Sequence, residues 1–223
     1  NWWYNSKTSG IGNNGSPTST GNWQKASGVS DFYSTGTNVG NLYSTWTFGS
    51  GGWDSFSGKY PHLDWEWSTS ITTLLQLQNM NLKLSDNYTL SNSINAIATQ
   101  GWNSGAGFVP VGDSSTKFTG TFDGNGYTVS DLFISRPSTN DQGLFGYTNG
   151  ATISDIGLLN TDITGQTSVG GLVGVNYAST VSGSHATGVV TGNNTQIGGL
   201  VGDNANTSTV SDSYATANVK GAS

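Results

Sequence analysis

The second half of the chain is dominated by short apolar runs that lie between glycines and recur at one spacing. Gly-Leu-Phe-Gly at 143–146 recurs twice as Gly-Leu-Val-Gly, at 171–174 and 199–202, so that the two offsets are equal. Such short runs suit the coils of a parallel β-solenoid, which advances by about 4.8 Å per coil, better than an array of hairpins. Equivalent residues then stack, so the three leucines are predicted to form one interior column. The glycines are predicted at tight corners, where a side chain would clash or would need a positive φ.

A second motif repeats in step with the first and predicts another interior column. Thr-Ile-Ser at 152–154 recurs as Thr-Val-Ser at 180–182 and again at 209–211. The first of these offsets equals that of the glycine motif, and the second is longer by a single position. An earlier Thr-Val-Ser at 128–130 is interpreted as a copy of the same position. The difference between the two offsets is predicted to be absorbed in the turn at 205–208.

Two further features support the same stacking. The segment 184–190 resembles the segment 213–219, again one coil later. Asn176 and Asn204 each follow a corner glycine by two positions and are predicted to hydrogen-bond to one another along the solenoid axis. The predicted fold is therefore all-β: a parallel β-helix with coils of about 28 residues, in which each coil buries its apolar side chains against its neighbours.

The segment from Ser68 to Leu84 has no glycine or proline, and it predicts a short capping helix. We expect one to two helical turns near 71–84 that cover the open first coil, with Ser68 or Ser70 as the N-cap. The apolar residues of the segment are Ile71, Leu74, Leu75, Leu77, Met80, Leu82 and Leu84.

Between this helix and the repeats, the sequence predicts short strands and one turn. The β-type runs lie at 88–90, 108–111 and 118–122. Asp-Gly-Asn-Gly at 123–126 is typical of a tight turn; it lacks the further acidic ligands that a calcium-binding loop needs.

Residues 1–67 differ from the repeats and hold seven of the eight tryptophans. Glycine and serine fill the positions between these aromatic residues. We interpret 1–67 as an irregular, Trp-rich end segment that closes a preceding unit, and 68–223 as the solenoid with its N-terminal helical cap. The predicted boundary lies near Trp67 and Ser68.

Composition limits the classes of partner. Only 9% of residues are charged, the formal net charge is −6, and there are 7 Lys plus Arg, which do not cluster. Binding to phosphate requires clustered cations, so nucleic acid and anionic membrane surfaces are not expected partners. No apolar run reaches the length of a membrane span, and cysteine is absent, which excludes disulfides and thiolate metal sites.

The run Phe-Thr-Gly-Thr-Phe-Asp-Gly-Asn-Gly-Tyr-Thr-Val-Ser at 118–130, followed by Gly-Leu-Phe-Gly and the Gly-Gly-Leu-Val-Gly repeats, resembles the GLUG-motif repeat proteins. These are large secreted or surface-attached bacterial and archaeal proteins, similar to filamentous-haemagglutinin-type adhesins. Leu-Gln-Asn-Met at 77–80 is similar to the opening of a unit in this family, and the segment 53–67 to the end of one. The resemblance implies a right-handed β-helix at the cell surface or outside the cell, and it assigns no catalytic residue and no cofactor.

Three potential metal ligands occupy alternate positions in one short segment. His62, Asp64 and Glu66 would share one face of a strand and offer three ligands. A solvated strand face explains the same pattern, so no metal site is predicted. No cofactor site is predicted either.

Enzymatic β-helices need grouped exterior carboxylates. Asp131, Asp155 and Asp212 are interpreted as equivalent turn positions that would form an acidic stripe interrupted by Gly183. We interpret this stripe as a source of solubility, predict no catalytic residue, and expect that the protein is not an enzyme.

Three tryptophans are candidate glycan contacts: Trp53, Trp65 and Trp67. Aromatic rings in a glycine-rich segment more often form a small core of their own. The predicted function is that of an extracellular structural or adhesive repeat protein. Its expected partner is itself, through end-to-end stacking of separate copies or of tandem units into a rod or filament, with surface glycans or a host matrix as further candidates. The alternative is a carbohydrate-binding β-helix module, with carbohydrate cleavage ranked below binding.

Overall fold

The structure is a computed structural model that describes residues 67–221 and two short strands before them. The chain divides into two compact units, Asn1–Trp65 and Glu66–Ser223. In the first unit, β1 (Trp53–Asp54) and β2 (His62–Leu63) pair antiparallel. The predicted division into 1–67 and 68–223 stays a prediction, because most of the first range lies outside the described residues.

The second unit is a parallel β-solenoid with three principal sheets, and all its paired strands run parallel. Sheet 1 contains β3 (Ser70–Ile71), β4 (Tyr88–Leu90), β6 (Thr121–Asp123), β10 (Thr152–Ser154), β14 (Thr180–Ser182) and β18 (Thr209–Ser211). Sheet 2 contains β5 (Ile94–Asn95), β7 (Thr128–Ser130), β8 (Phe133–Ser135), β11 (Gly157–Gly165), β15 (His185–Gly192), β19 (Tyr214–Ala215) and β20 (Asn218–Lys220). Sheet 3 contains β9 (Phe145–Asn149), β13 (Val173–Tyr177) and β17 (Val201–Ala205), and a separate pair is formed by β12 (Val169–Gly170) and β16 (Ile197–Gly198). The predicted fold class is confirmed; the handedness that the resemblance implies stays a prediction.

The register reproduces the offsets of the sequence repeats. Tyr177 pairs with Ala205 at the offset of the glycine motif, whereas Thr180 pairs with Thr209, one position further along. The extra residue lies in the turn that contains Asn206 and Thr207, both with positive φ (54° and 62°). The slip is therefore absorbed where the sequence predicted it.

The two predicted interior columns are present. Leu144 and Leu172 are fully buried and Leu200 is nearly so. In sheet 1, Ile153 pairs with Val181, and Val181 with Val210. The aliphatic columns give way to aromatic rings earlier in the chain, where Phe118 and Phe145 lie 5.0 Å apart between ring centroids.

The interpretation of 128–130 as a copy of the 152–154 motif is wrong. These residues form β7 in sheet 2 and pair with Gly157, Leu158 and Leu159. The partner of 152–154 on the earlier coil is the segment 121–123 in sheet 1. Each coil crosses two sheets with the same alternation of polar and apolar residues, and alternation identifies the buried face but not the sheet.

The strands predicted at 108–111 and 118–122 are wrong in their bounds. Regular pairing covers only Thr121–Asp123 of the second run. The 108–111 segment has no regular strand; a bridge joins Val111 to Phe145, and the Phe108 N–H donates to the Phe133 carbonyl at 2.9 Å. The preceding 3-10 segment, Ile97–Gly105, was not predicted; it is interrupted at Trp102 by extended backbone angles.

A short helix is present in the predicted cap segment: α1 (Leu74–Asn79), followed by a 3-10 turn at Met80–Leu82. The predicted N-cap is wrong, because Thr73 caps the helix and forms a reciprocal capping box with Gln76. Ser70 already lies in β3. The apolar side of the helix enters the core through Leu77 and Met80, which are fully buried.

Candidate functional site

Glycines of the repeated motif allow the coils to approach one another, but the second glycine of each motif lies within β9, β13 or β17 rather than at the predicted corner. A Cβ atom on Gly174 would lie 2.6 Å from the carbonyl oxygen of Gly146, and one on Gly202 would lie 2.8 Å from that of Gly174. Real Cβ atoms do not approach backbone so closely, so a side chain at Gly174 would force neighbouring coils apart. The predicted reason for these glycines, steric exclusion, is confirmed.

A buried ladder of side-chain hydrogen bonds runs along the axis. The Thr148 hydroxyl donates to Oδ1 of Asn176 (3.1 Å), and Nδ2 of Asn176 donates to Oδ1 of Asn204 (2.8 Å). Asn176 is fully buried and also donates to the carbonyl of Ser179. The predicted hydrogen bond between the asparagines is confirmed, and Thr148 extends the ladder to the preceding coil.

Serines at two turns link successive coils in a way that the sequence interpretation missed. The backbone N–H of Ala151 donates to Ser179 Oγ and that of Ser179 to Ser208 Oγ, both at 3.0 Å. The same arrangement joins Ser184 to Ser213 at the next turn. The available signal was the recurrence of serines, one coil apart, beside the Thr-Val-Ser motif.

The last described coil presents this stacking surface without a covering strand. Within the described residues, β17, β18, β19 and β20 each pair on one side only. Val210 and Val219 are 41% and 42% exposed, whereas their partners one coil earlier, Val181 and Val190, are fully buried. This coil therefore has both the unpaired backbone groups and the apolar side chains on which a further coil would stack.

The predicted acidic stripe is not formed. Asp155 and Asp212 lie in one column, with Gly183 between them, but Asp131 follows β7 in sheet 2 and accepts a hydrogen bond from Asn95 at 3.3 Å. These turn residues share a positive φ of 50–58°. Aspartate and glycine tolerate that backbone conformation, so the sequence similarity reflects turn geometry rather than a common column.

Of the candidate glycan contacts, only the Trp67 side chain is described. It is half-buried against the first coils, where its indole N–H donates to the Tyr88 hydroxyl (3.3 Å) and the Lys83 Nζ lies 3.5 Å from the ring centroid. The side chain of Trp53 and the whole of Trp65 lie outside the described residues. The glycan role of these tryptophans stays a prediction.

The predicted ligand pattern at 62–66 also falls mostly outside the described residues. Asp64 and Glu66 are not described, and only the backbone of His62, in β2, is. Within the part of the chain that the structure describes, no three His, Asp or Glu side chains are grouped to hold a metal ion. No helix among the described residues has the length and apolar character required to cross a bilayer.

The described architecture is that of a repeat protein: a solenoid whose coils are stabilised by backbone pairing, close contacts at glycines and polar ladders between equivalent residues. The family model described as the GLUG motif matches residues 165–191 and 193–220. The last two described coils therefore match the GLUG motif, and the resemblance is confirmed over these residues.

Two relatives extend the comparison. Over 112 residues the chain is 40% identical to Halomucin of Haloquadratum walsbyi, a match that covers 48% of this chain and 1% of Halomucin. Over 82 residues it is 38% identical to a protein of Evansella cellulosilytica whose name describes it as a Gly-rich membrane protein; this match covers 33% of the chain and 9% of that protein. The chain thus corresponds to a small part of each relative. No solved structure matches the chain.

Proposed function

We propose that this chain is part of a non-enzymatic, extracellular structural protein of the cell surface, in which β-solenoid units stack end to end into a stiff, adhesive rod. The observation that carries the proposal is the stacking of equivalent residues: the last described coil repeats the valine columns, the asparagine ladder and the turn serines that join it to the coil before. The presence of GLUG repeats and the names of the relatives support a surface or membrane-associated location.

Assembly of the full chain tests the proposal. Sedimentation velocity and electron microscopy of the unmodified chain are expected to show concentration-dependent filaments. The double variant Val210→Lys/Val219→Lys places two cations on the surface that the next unit would cover, so it is expected to remain monomeric.

The matched control is Thr209→Lys/Asn218→Lys. It adds the same two charges to the same strands, next to the valines, at exposed residues. It should assemble like the unmodified chain. A chain that remains monomeric at high micromolar concentration would contradict end-to-end stacking, as would equal assembly of both double variants.

A further inference from the structure

The outer face of sheet 3 carries two tyrosines side by side. Thr148 and Asn176 are buried in the polar ladder, so the alternating residues Tyr147 and Tyr177 point outward. Tyr147 pairs with Val175, and Tyr177 pairs with Asn149 on the previous coil, so the tyrosines are diagonal neighbours. Their ring centroids lie 6.3 Å apart at an angle of 39°.

Polar groups border these rings. The bridge between Phe118 and Thr148 brings Lys117 beside Tyr147, with Nζ 5.6 Å from the ring centroid. Asp203 pairs with Val175 at the other end of the same column. We name this surface the tyrosine strip; it consists of Lys117, Tyr147, Asn149, Val175, Tyr177 and Asp203.

Nearby carboxylates make the electrostatic environment of the tyrosine strip negative. Burial raises the pKa of Asp141, as do the charges of Asp113 and Asp203. Burial also raises the pKa of Tyr147, and Tyr177, Asp141 and Asp203 add to this effect. Asp113, Asp141 and Asp203 thus place three negative charges around the tyrosine strip. The positive charge of Lys117 offsets only part of them.

Tyr177 is the more accessible of the two rings, and Tyr147 is half-buried. Tyr177 is 37% exposed, and the residue that pairs with it on the following coil is the small Ala205. A pyranose ring has an apolar C–H face and a rim of hydroxyls. It is therefore complementary to open aromatic rings that are bordered by an amide, an ammonium and carboxylates. The excess of carboxylates opposes acidic sugars.

We propose that the tyrosine strip binds a neutral, hexose-based glycan chain, with sugar rings stacked on Tyr147 and Tyr177 and their hydroxyls hydrogen-bonded by the bordering polar side chains. The site is distinct from the candidate tryptophans at 53, 65 and 67. It also does not depend on end-to-end stacking, because all its residues lie on the side of the solenoid.

Titration calorimetry of the full chain with cellohexaose and mannohexaose, and with hexagalacturonate as the acidic probe, tests the proposal. At least one neutral probe is expected to bind with a dissociation constant of about 1 mM or tighter, and more tightly than the acidic probe. Tyr177→Ala is expected to weaken that binding by at least about tenfold, which corresponds to about 1.4 kcal/mol. Asp203→Asn, which keeps the size of the side chain, should reduce the preference for the neutral probe.

The matched control is Tyr127→Ala, because Tyr127 is 36% exposed, nearly as much as Tyr177, but precedes a strand of sheet 2. It should bind like the unmodified chain. The proposal is overturned if neither neutral probe binds, or if both alanine variants lose the same affinity. Unchanged binding by a Tyr147→Ala/Tyr177→Ala variant would also overturn it. The proposal is also overturned if Tyr177→Ala changes the sedimentation of the protein but not its affinity for the glycan probes. The surface would then be an interface between copies of the chain.

Discussion

At the scale of single residues, the solenoid depends on groups that have one suitable partner in each adjacent coil. Asn176 shows the requirement most clearly, because its amide both accepts from Thr148 and donates to Asn204 within a buried column. A hydrogen bond adds little net stability by itself, but a buried group left without a partner is costly. The polar ladder therefore selects one axial register against others that would bury the same aliphatic residues.

Asn176→Ala is expected to lower the free energy of unfolding by about 1–3 kcal/mol, because it removes the buried amide that joins Thr148 to Asn204 and creates a cavity. Urea denaturation followed by intrinsic fluorescence measures the change. Asn204→Ala is the control: Asn204 is exposed on the last described coil, and its loss should cost clearly less. Equal costs for the two variants would contradict a special role for the buried amide.

The Tyr88 side chain is hydrogen-bonded to Trp67 and Lys83, and its ionisation makes the stability of the fold depend on pH. Burial raises the pKa of Tyr88 from 10.0 to about 12, and its hydroxyl donates to the Lys83 carbonyl at 2.8 Å. Above pH 10 the unfolded chain releases this proton while the folded chain retains it. The contribution of Tyr88 to stability is therefore complete below pH 10 and is lost as pH rises to about 12.

Denaturation curves at several alkaline pH values are expected to show this loss in the unmodified chain. Tyr88→Phe should be less stable at neutral pH, because the hydrogen bonds to Lys83 and from Trp67 are absent, but its stability should fall less steeply above pH 10. Tyr127→Phe, which removes the hydroxyl of an exposed tyrosine, is the control for the substitution itself. An identical slope in all three proteins would argue against Tyr88 as the titrating group.

At the scale of elements, the helical segment between β3 and β4 is bound to the solenoid by side chains rather than by strand pairing. The amide of Gln78 donates to the Val109 carbonyl and accepts from the Val109 N–H, both at 2.9 Å. Asn81 accepts from the N–H of Gly112 at 3.0 Å. Together they satisfy backbone groups of a segment that has only isolated bridges to the solenoid. The position of α1 is thus set by both its apolar face and these amides.

Thr73→Ala is expected to destabilise this cap by about 1 kcal/mol, because the side chain of Thr73 accepts the Gln76 N–H in the capping box. Hydrogen exchange of amides in 74–82 and the midpoint of urea denaturation measure the effect. Ser70→Ala is the comparison, since the sequence predicted Ser70 as a cap and the structure places it in β3. A larger loss for Ser70→Ala than for Thr73→Ala would contradict the observed cap.

At the scale of the whole molecule, stacking of separate copies must overcome their mutual repulsion. The chain has a formal net charge of −6, and few of its residues are basic. The surface that we propose for stacking presents the exposed side chains of Val210 and Val219 beside backbone groups that pair on one side only. Salt should therefore screen the repulsion between copies without weakening the contacts that join them.

Self-association of the unmodified chain is accordingly expected to strengthen as ionic strength rises from about 0.01 M to about 0.15 M. Sedimentation equilibrium at fixed protein concentration measures it. The variant Val210→Lys/Val219→Lys should show no association at either salt concentration. Dissociation of the unmodified assembly on addition of salt would indicate contacts between charged side chains and would contradict the proposed surface.

The repeat spacing was sufficient to predict the solenoid, its coil length and the stacking of Leu144, Leu172 and Leu200. It also predicted the contact between Asn176 and Asn204 and the turn that absorbs the extra residue. These features follow from sequence because stacking requires similar residues at a constant offset. A sequence similarity of that kind is visible without coordinates.

Tertiary structure decided which similar motifs share a sheet. Thr-Val-Ser at 128–130 has the residues of sheet 1 but lies in sheet 2, and Asp131 consequently lies away from the column of Asp155 and Asp212. Both sheets bury alternate residues, and both turns require a positive φ, so local chemistry is the same in the two places. The path of the chain around the coil distinguishes them, and it depends on the lengths of the connecting segments.

The proximity of the two tyrosines in the tyrosine strip likewise could not be predicted from the sequence. The offset from Tyr147 to Tyr177 differs from the repeat by two positions, so it gives no signal. The tyrosines become neighbours because Tyr177 pairs with Asn149, which lies on the same face of its strand as Tyr147, and such diagonal positions are within reach of aromatic rings. The sequence by itself therefore determined the repeating interior of this protein. Only the tertiary structure decided which exterior side chains meet, because exterior positions need not repeat for the coils to stack.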